Sequence, residues 1–101
     1  MKSNAIEVTN SKMNILEKMT FLNKRNSRKL LNLIENGKIN QNDLTKALAN
    51  IHRIDVCIYE VAVIDETNID FLDRLIEKTR LCQIDVDEIL GEQNENNQTI
   101  L

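Results

Sequence analysis

The sequence predicts an all-α fold, either an antiparallel bundle or a long helical hairpin of three to four helices with frayed termini. Apolar residues recur at intervals of three and four along most of the chain, which is the period of an amphipathic helix. The 101 residues include no proline and only two glycines, and 3% of them are aromatic. This composition argues against turn-dense β-sandwiches, glycine-rich dinucleotide-binding loops and aromatic platforms that stack bases. A chain of this length is expected to form one domain with one modest core.

The first helix is expected to begin at Ser11, because serine is a residue type that caps helix N-termini. Residues 1–10 are polar and lack an apolar stripe, so we expect a flexible N-terminus followed by a single helical domain at residues 11–91. Gly37 lies shortly after an apolar run and is the expected residue that ends this helix, since glycine enters the left-handed region without a Cβ clash.

A polar interruption divides the apolar face of this first helix. Residues 15–22 and residues 30–34 place apolar side chains on one arc, but Asn23 and Asn26 occupy the same arc between them. Two structures fit this pattern: one continuous helix with a polar belt, or a break after which Ser27 caps a separate short helix. The sequence leaves both open.

The second helix is expected to be capped by Asn40 or Asn42 and to continue to about Asp65. Its residues 56–64 are mostly β-branched or aromatic, and their isolated propensity favours a strand. No second stretch of comparable β character exists, so a strand here would have no partner. We therefore predict a central helix that is buried on more than one side, with Val56 and Val63 on a second apolar strip.

The third helix is the clearest in the chain. Thr67 and Asp70 have the spacing of a capping box at its start, and Gly91 is expected to end it. Residues 92–101 are then expected to form a polar C-terminal tail. The apolar face of this helix is predicted to consist of Phe71, Leu72, Leu75, Ile76, Thr79, Cys82, Val86, Ile89 and Leu90.

Charge is unevenly distributed along a chain whose formal net charge is −3. Residues 1–53 hold ten Lys and Arg against four Asp and Glu, whereas residues 54–101 hold three against twelve. The favoured interpretation is that a basic half folds against an acidic half, within one chain or between two. The alternative is a basic docking face for an acidic partner.

The sequence also bears on location and source. No secretory signal and no apolar run long enough to span a membrane are visible, so we expect a cytoplasmic protein that does not bind membranes. Fourteen Asn and thirteen Ile are typical of AT-rich coding sequences. That bias indicates a low-GC bacterium or a mobile element such as a phage.

Side chains that carry catalysis or bind metals are scarce. His52 is the single histidine, and Cys57 lies about 140° around a helix from it, so the two are expected to point apart. Together with Cys82 they supply at most three zinc ligands, and these lack metal-binding spacing. We therefore expect reduced, buried thiols, no metal, no cofactor and no enzymatic activity.

The basic run at residues 24–29 is the candidate segment for phosphate contacts, through Lys24, Arg25, Arg28 and Lys29. Residues 41–48, together with the isoleucines that follow them, resemble the start of the helix-turn-helix of phage-repressor-like regulators over about 20 residues. The resemblance implies DNA binding. It departs from that pattern at Ala49-Asn50, after which the apolar positions are out of register by one residue.

The function predicted from these observations is that of a small non-enzymatic regulator that binds another protein through helix–helix contacts. An inhibitor, an antitoxin-like protein and a chaperone-like protein are the forms considered. A homodimer is the working hypothesis, because small helical domains often complete their core by self-association. Val56, Tyr59 and Val63 are the candidate residues for contact with a partner or a second copy. The alternative is a DNA-binding transcriptional regulator that uses the basic helical segment.

Overall fold

Three helices follow one another along the chain in the computed structural model of this protein. They are α1 (Lys2–Glu35), α2 (Gln41–Val63) and α3 (Ile69–Thr99). The structure describes the backbone of residues 2–65 and 67–99 and the side chains of residues 12–65 and 67–91. No strand occurs in those backbone ranges, so the predicted all-α fold is confirmed. α2 packs along both other helices, while α1 and α3 contact each other over a much smaller surface.

α1 is continuous from Lys2, whereas the sequence placed its start at Ser11, and that expectation was wrong. Residues 2–11 contain neither proline nor glycine, and extending a formed helix costs far less than nucleating one. α3 likewise passes through Gly91 and continues to Thr99, because a glycine weakens a helix without the clash by which a proline ends one. The flexibility expected for residues 1–10 and 92–101 stays a prediction, and the side chains of those residues lie outside the described part of the chain.

The connection between α1 and α2 follows the sequence closely. Gly37 has a φ of +64°, and the N–H of Lys38 donates to the carbonyl of Leu33 at 2.8 Å, which closes the helix end in a Schellman arrangement. Asn40 is the N-cap of α2, because its Oδ1 accepts a hydrogen bond of 2.8 Å from the backbone N–H of Asp43. Of the two asparagines considered for that cap, the structure selects the first.

α3 is capped one residue later than expected. The backbone N–H of Phe71 donates to Asn68 Oδ1 at 3.2 Å, so Asn68 and not Thr67 closes the first turn. Thr67 instead donates its N–H and its hydroxyl to Asp65 Oδ1, at 3.0 and 2.9 Å. These two bonds, the backbone one first, hold the pKa of Asp65 below its ordinary value.

Residues 56–63 are helical, as the absence of a partner strand predicted. α2 ends at Val63, two residues before the expected end, and the N–H of its C-cap Ile64 donates to the carbonyl of Glu60. The helix also passes through Ala49 and Asn50 without a turn, so no helix-turn-helix forms at this position.

Two apolar clusters form the core, one at each end of the bundle. The cluster near the α1–α2 connection contains Leu30, Leu33, Ala47, Ile51, Ile54, Cys82, Val86 and Leu90. The cluster near the α2–α3 connection contains Met19, Cys57, Val61, Leu72 and Leu75. Each cluster takes residues from all three helices, and Ile58 packs against both.

Buried amides occupy the space between the two clusters, which decides the question left open for α1. Asn23 donates to Asp55 Oδ1 at 2.6 Å and to the carbonyl of Ile51 at 3.1 Å, both in α2. Asn26, of which 2% is exposed, bonds Gln83 of α3. The apolar arc of α1 is therefore interrupted by a polar belt within one unbroken helix.

The buried face of α3 is narrower than the sequence predicted. Phe71 and Ile76 were expected to be buried, but 38% of the surface of Phe71 and 36% of that of Ile76 are exposed. Gln83, which was not expected in the core, is buried instead because it bonds Asn26. α3 packs mainly against α2 and only slightly against α1, so a limited arc of α3 faces other helices.

Candidate interaction surface

α2 carries two opposite stripes, and one of them faces solvent. Ala47, Ile54 and Val61 repeat every seven residues and are completely buried against α1 and α3. On the opposite side of the helix, six exposed residues repeat at intervals of four, three, four, three and four. We call this set the outer seam; it consists of Thr45, Ala49, His52, Val56, Tyr59 and Val63.

The outer seam is unusual among the exposed faces of this bundle because it holds no carboxylate, lysine or arginine over 19 residues. The candidate contact residues on it are exposed in the single chain: 39% of Val56, 68% of Tyr59 and 62% of Val63. α2 was expected to be buried on more than one side, but the side that carries Val56 and Val63 faces solvent, because α1 and α3 both pack on the opposite side. Apart from His52, the members of the seam are apolar or small, and a 4-3 repeat is the spacing with which one helix packs along another. The outer seam thus has the spacing of a helix-packing face, and in the single chain it is open to solvent.

The flanks of the outer seam differ in character. The flank on the side of α1 consists of Leu48, Asp55 and Ala62, and Asp55 is held by Asn23. The flank on the other side consists of Lys46, Arg53 and Glu60, and Arg53 donates to Asn50 Oδ1 at 3.3 Å. The two charged residues nearest the middle of the seam are thus bonded within their own chain.

The candidate phosphate-contacting residues lie on the outward side of α1. Lys24, Arg25 and Arg28 are exposed, and Lys29 is half-buried. Phe21 lies one turn before them on the same face, and 68% of it is exposed. Among the described side chains the one ion pair joins Glu77 and Arg80 within α3, so none of these four basic residues is in an ion pair.

A shallow groove runs between α1 and α2 beside this basic face. It has a volume of about 310 Å³. Its lining consists of Thr20, Asn23, Lys24, Ser27, Arg28, Asp55 and Ile58. The carboxylate of Asp55 lies in the same groove as Lys24 and Arg28, so the groove is not uniformly basic and offers an anion a mixed environment.

Charge is separated between the two outer helices of the bundle. Between Lys12 and Glu35, α1 carries six basic and two acidic side chains, whereas between Ile69 and Gly91, α3 carries three basic and six acidic ones. The two helices meet through the uncharged amides of Asn26 and Gln83. Within the side chains that the structure describes, no ion pair joins α1 to α3.

The nucleophilic and imidazole side chains do not form a site together. Cys57 and Cys82 are unbridged and buried in the core, while His52 is exposed on the outer seam. Burial raises the pKa of the Cys82 thiol, and the neighbouring Cys57 raises it further. A thiol in these surroundings is mostly protonated and weakly nucleophilic at neutral pH. No group of three or more potential metal ligands occurs among the described residues.

The chain matches no protein-family model, and no curated protein or solved structure is significantly similar to it. Within the part of the chain that the structure describes, no helix combines the length and apolar character needed to cross a membrane. The surfaces described above are therefore the basis on which its function is inferred.

Sequence reasoning identified half of the outer seam and missed the rest. Val56, Tyr59 and Val63 were named, but Thr45, Ala49 and His52 were not. The heptad spacing of Ala47, Ile54 and Val61 is visible in the sequence, but only the structure shows that these three are buried and that the positions opposite them are exposed. Phe21, on the basic face of α1, was also missed.

Proposed function

We propose that this protein is a non-enzymatic regulator that acts by binding another protein through helix–helix contacts, with the outer seam of α2 as the docking surface. The observation that supports this most strongly is the exposed 4-3 repeat without permanent charge. Burying a Val or an aromatic side chain of this kind contributes about 1.5–3 kcal/mol to association before entropic costs. An inhibitor, an antitoxin-like protein and a chaperone-like protein in the cytoplasm of a bacterium all fit such a surface.

The test is comparative capture from the host with three versions of the chain: wild type, Tyr59→Asp, and Leu81→Asp as a matched control. Leu81 is an exposed leucine on the outward side of α3, away from the outer seam. The proposal expects a partner that wild type and Leu81→Asp retain and that Tyr59→Asp loses. A partner retained equally by all three would assign binding to another surface and contradict the proposal.

A second candidate function is favoured by the basic face of α1. Lys24, Arg25 and Arg28 are exposed and form no ion pair with the described acidic residues, so they are free to contact phosphates, and DNA binding would use them together with Lys29. If binding neutralises four phosphates, the affinity for DNA should fall about tenfold each time the salt concentration is doubled. A gel shift at low salt that shows no retardation would exclude this function.

A further inference from the structure

We infer that the outer seam packs against the outer seam of a second copy of this chain, with the two α2 helices antiparallel. This inference rests on the proposed function, because it takes the outer seam to be a docking surface, and it names a second copy of this chain as the occupant of that surface when no other protein is bound there. It follows from three properties of the described residues: the order of large and small side chains along the seam, the signs of the flanking charges, and the bonds that hold Asp55 and Arg53.

The order of side-chain sizes is complementary to itself when reversed. In antiparallel packing the two alternating positions of a 4-3 repeat meet each other across the interface. Centring the two helices on Ile54 places Ala49 opposite the partner's Tyr59, and Thr45 opposite the partner's Val63. Ala49, the smallest residue of the seam, thus packs against the partner's Tyr59, the largest. Every layer combines a small or medium side chain with a larger one.

Parallel packing does not give this match. Each residue would then meet its own copy, so a layer of two alanines at position 49 would leave a void, and a layer of two tyrosines at position 59 would be crowded. On the flanks, Asp55 would lie near the partner's Glu60, and two carboxylates would repel each other. The side-chain sizes favour the antiparallel arrangement.

The flanking charges are compatible with the antiparallel pair. Lys46 comes close to the partner's Glu60, and the twofold symmetry repeats this pair of opposite charges at the other end of the seam. Asp55 and Arg53 would lie near their own copies at the centre. Both are already bonded within their chain, Asp55 to Asn23 at 2.6 Å and Arg53 to Asn50 at 3.3 Å, which keeps them on the flanks.

The length of the seam sets the expected strength. The seam extends over 19 helical residues, which is fewer than three heptads and spans about 27 Å. An interface made only by this seam is at the small end of specific protein interfaces. We therefore expect a homodimer that dissociates on dilution.

Disulfide trapping tests the arrangement by showing which positions of the two copies meet. Ala49→Cys and Tyr59→Cys are prepared separately and are oxidised alone and as an equimolar mixture, with Leu81→Cys as a control off the seam. The antiparallel dimer predicts a covalent dimer from the mixture, linking position 49 to position 59, and none from either variant alone or from the control. The native Cys57 and Cys82 are buried and do not interfere.

The other outcomes of this experiment are decisive as well. Covalent dimers of Ala49→Cys alone and of Tyr59→Cys alone would show parallel packing and overturn the proposed orientation. No covalent dimer from the mixture at concentrations of about 100 μM would overturn self-association through the seam. The proposed function would then be judged separately, because the capture experiment with Tyr59→Asp does not require a second copy.

Discussion

Asn26 of α1 and Gln83 of α3 form a reciprocal amide pair in the centre of the bundle. Asn26 Nδ2 donates to Gln83 Oε1 at 2.6 Å, and Gln83 Nε2 donates to Asn26 Oδ1 at 3.0 Å. Each amide has a second partner: Asn26 donates to Asn23, and Gln83 donates to Asp87 at 2.9 Å. Among the described residues no buried side-chain nitrogen or oxygen lacks a hydrogen bond, so the polar belt is fully satisfied.

This pair fixes where α1 lies against α3, and removing one member should be costly. Asn26→Leu leaves the buried amide of Gln83 without one of its partners, which costs about 1–3 kcal/mol of unfolding free energy. Gln83→Leu is expected to cost a similar amount. The double variant should be more stable than the sum of the two single effects implies, by about 0.5–3 kcal/mol. Urea denaturation of the four proteins measures this coupling, and strictly additive losses would contradict the pairing.

The two glycines should respond to alanine in opposite directions. Gly37 has a φ of +64°, where a Cβ is strained, so Gly37→Ala should lower the unfolding free energy by about 1 kcal/mol. Gly91 lies inside α3 without a positive φ, and a Cβ there meets no atom within 4 Å. Gly91→Ala should raise stability by about 0.5–1 kcal/mol. Thermal unfolding distinguishes the two signs, and equal effects would refute the assignment of these helix ends.

The N-cap of α2 offers a test with a neighbouring control. Asn40→Ala removes the acceptor of the Asp43 N–H and should cost about 1 kcal/mol of unfolding free energy. Asn42 is exposed and inside the first turn, so Asn42→Ala should change stability by no more than a few tenths of a kcal/mol. If Asn42→Ala proves the more damaging substitution in chemical denaturation, the cap has been assigned to the wrong residue.

The connection between α2 and α3 should respond to acid through Asp65. Its pKa is lowered in the folded state from an ordinary value of 3.8. The carboxylate therefore stabilises the fold above that value, and this contribution is lost as the pH falls through the lower folded-state pKa. Asp65→Asn should be less stable than wild type near neutral pH, and the difference should shrink in acid. A difference that is constant with pH in denaturation measurements would argue against this role.

Local signals in the sequence predicted the fold where one residue decides the structure. Asn40 and Gly37 did so, because a cap and a left-handed turn depend on few neighbours. The helix ends at Ser11 and Gly91 were wrong, since serine is neutral inside a helix and glycine only weakens one. Serine and glycine therefore mark a helix boundary only where the backbone also leaves the helical conformation, as it does at Gly37.

Long-range contacts were the part that sequence reasoning could not supply. Asn23 and Asn26 were correctly seen as an interruption of an apolar arc, but Gln83 lies 57 residues after Asn26 and gives no local sign of being its partner. The outer seam was only half identified for a related reason. Its exposure depends on which side of α2 the other helices cover, and that is set by the tertiary packing.

Sedimentation equilibrium of wild type, Val56→Asp and Leu81→Asp tests most directly whether the outer seam packs against a second copy of this chain. Val56 is in the middle of the seam and partly exposed, so its replacement should leave helicity intact by circular dichroism. The account predicts that wild type and Leu81→Asp approach twice the chain mass of 11.7 kDa as concentration rises, while Val56→Asp stays monomeric. A wild type that is monomeric at every concentration, with Val56→Asp equally stable, would contradict it.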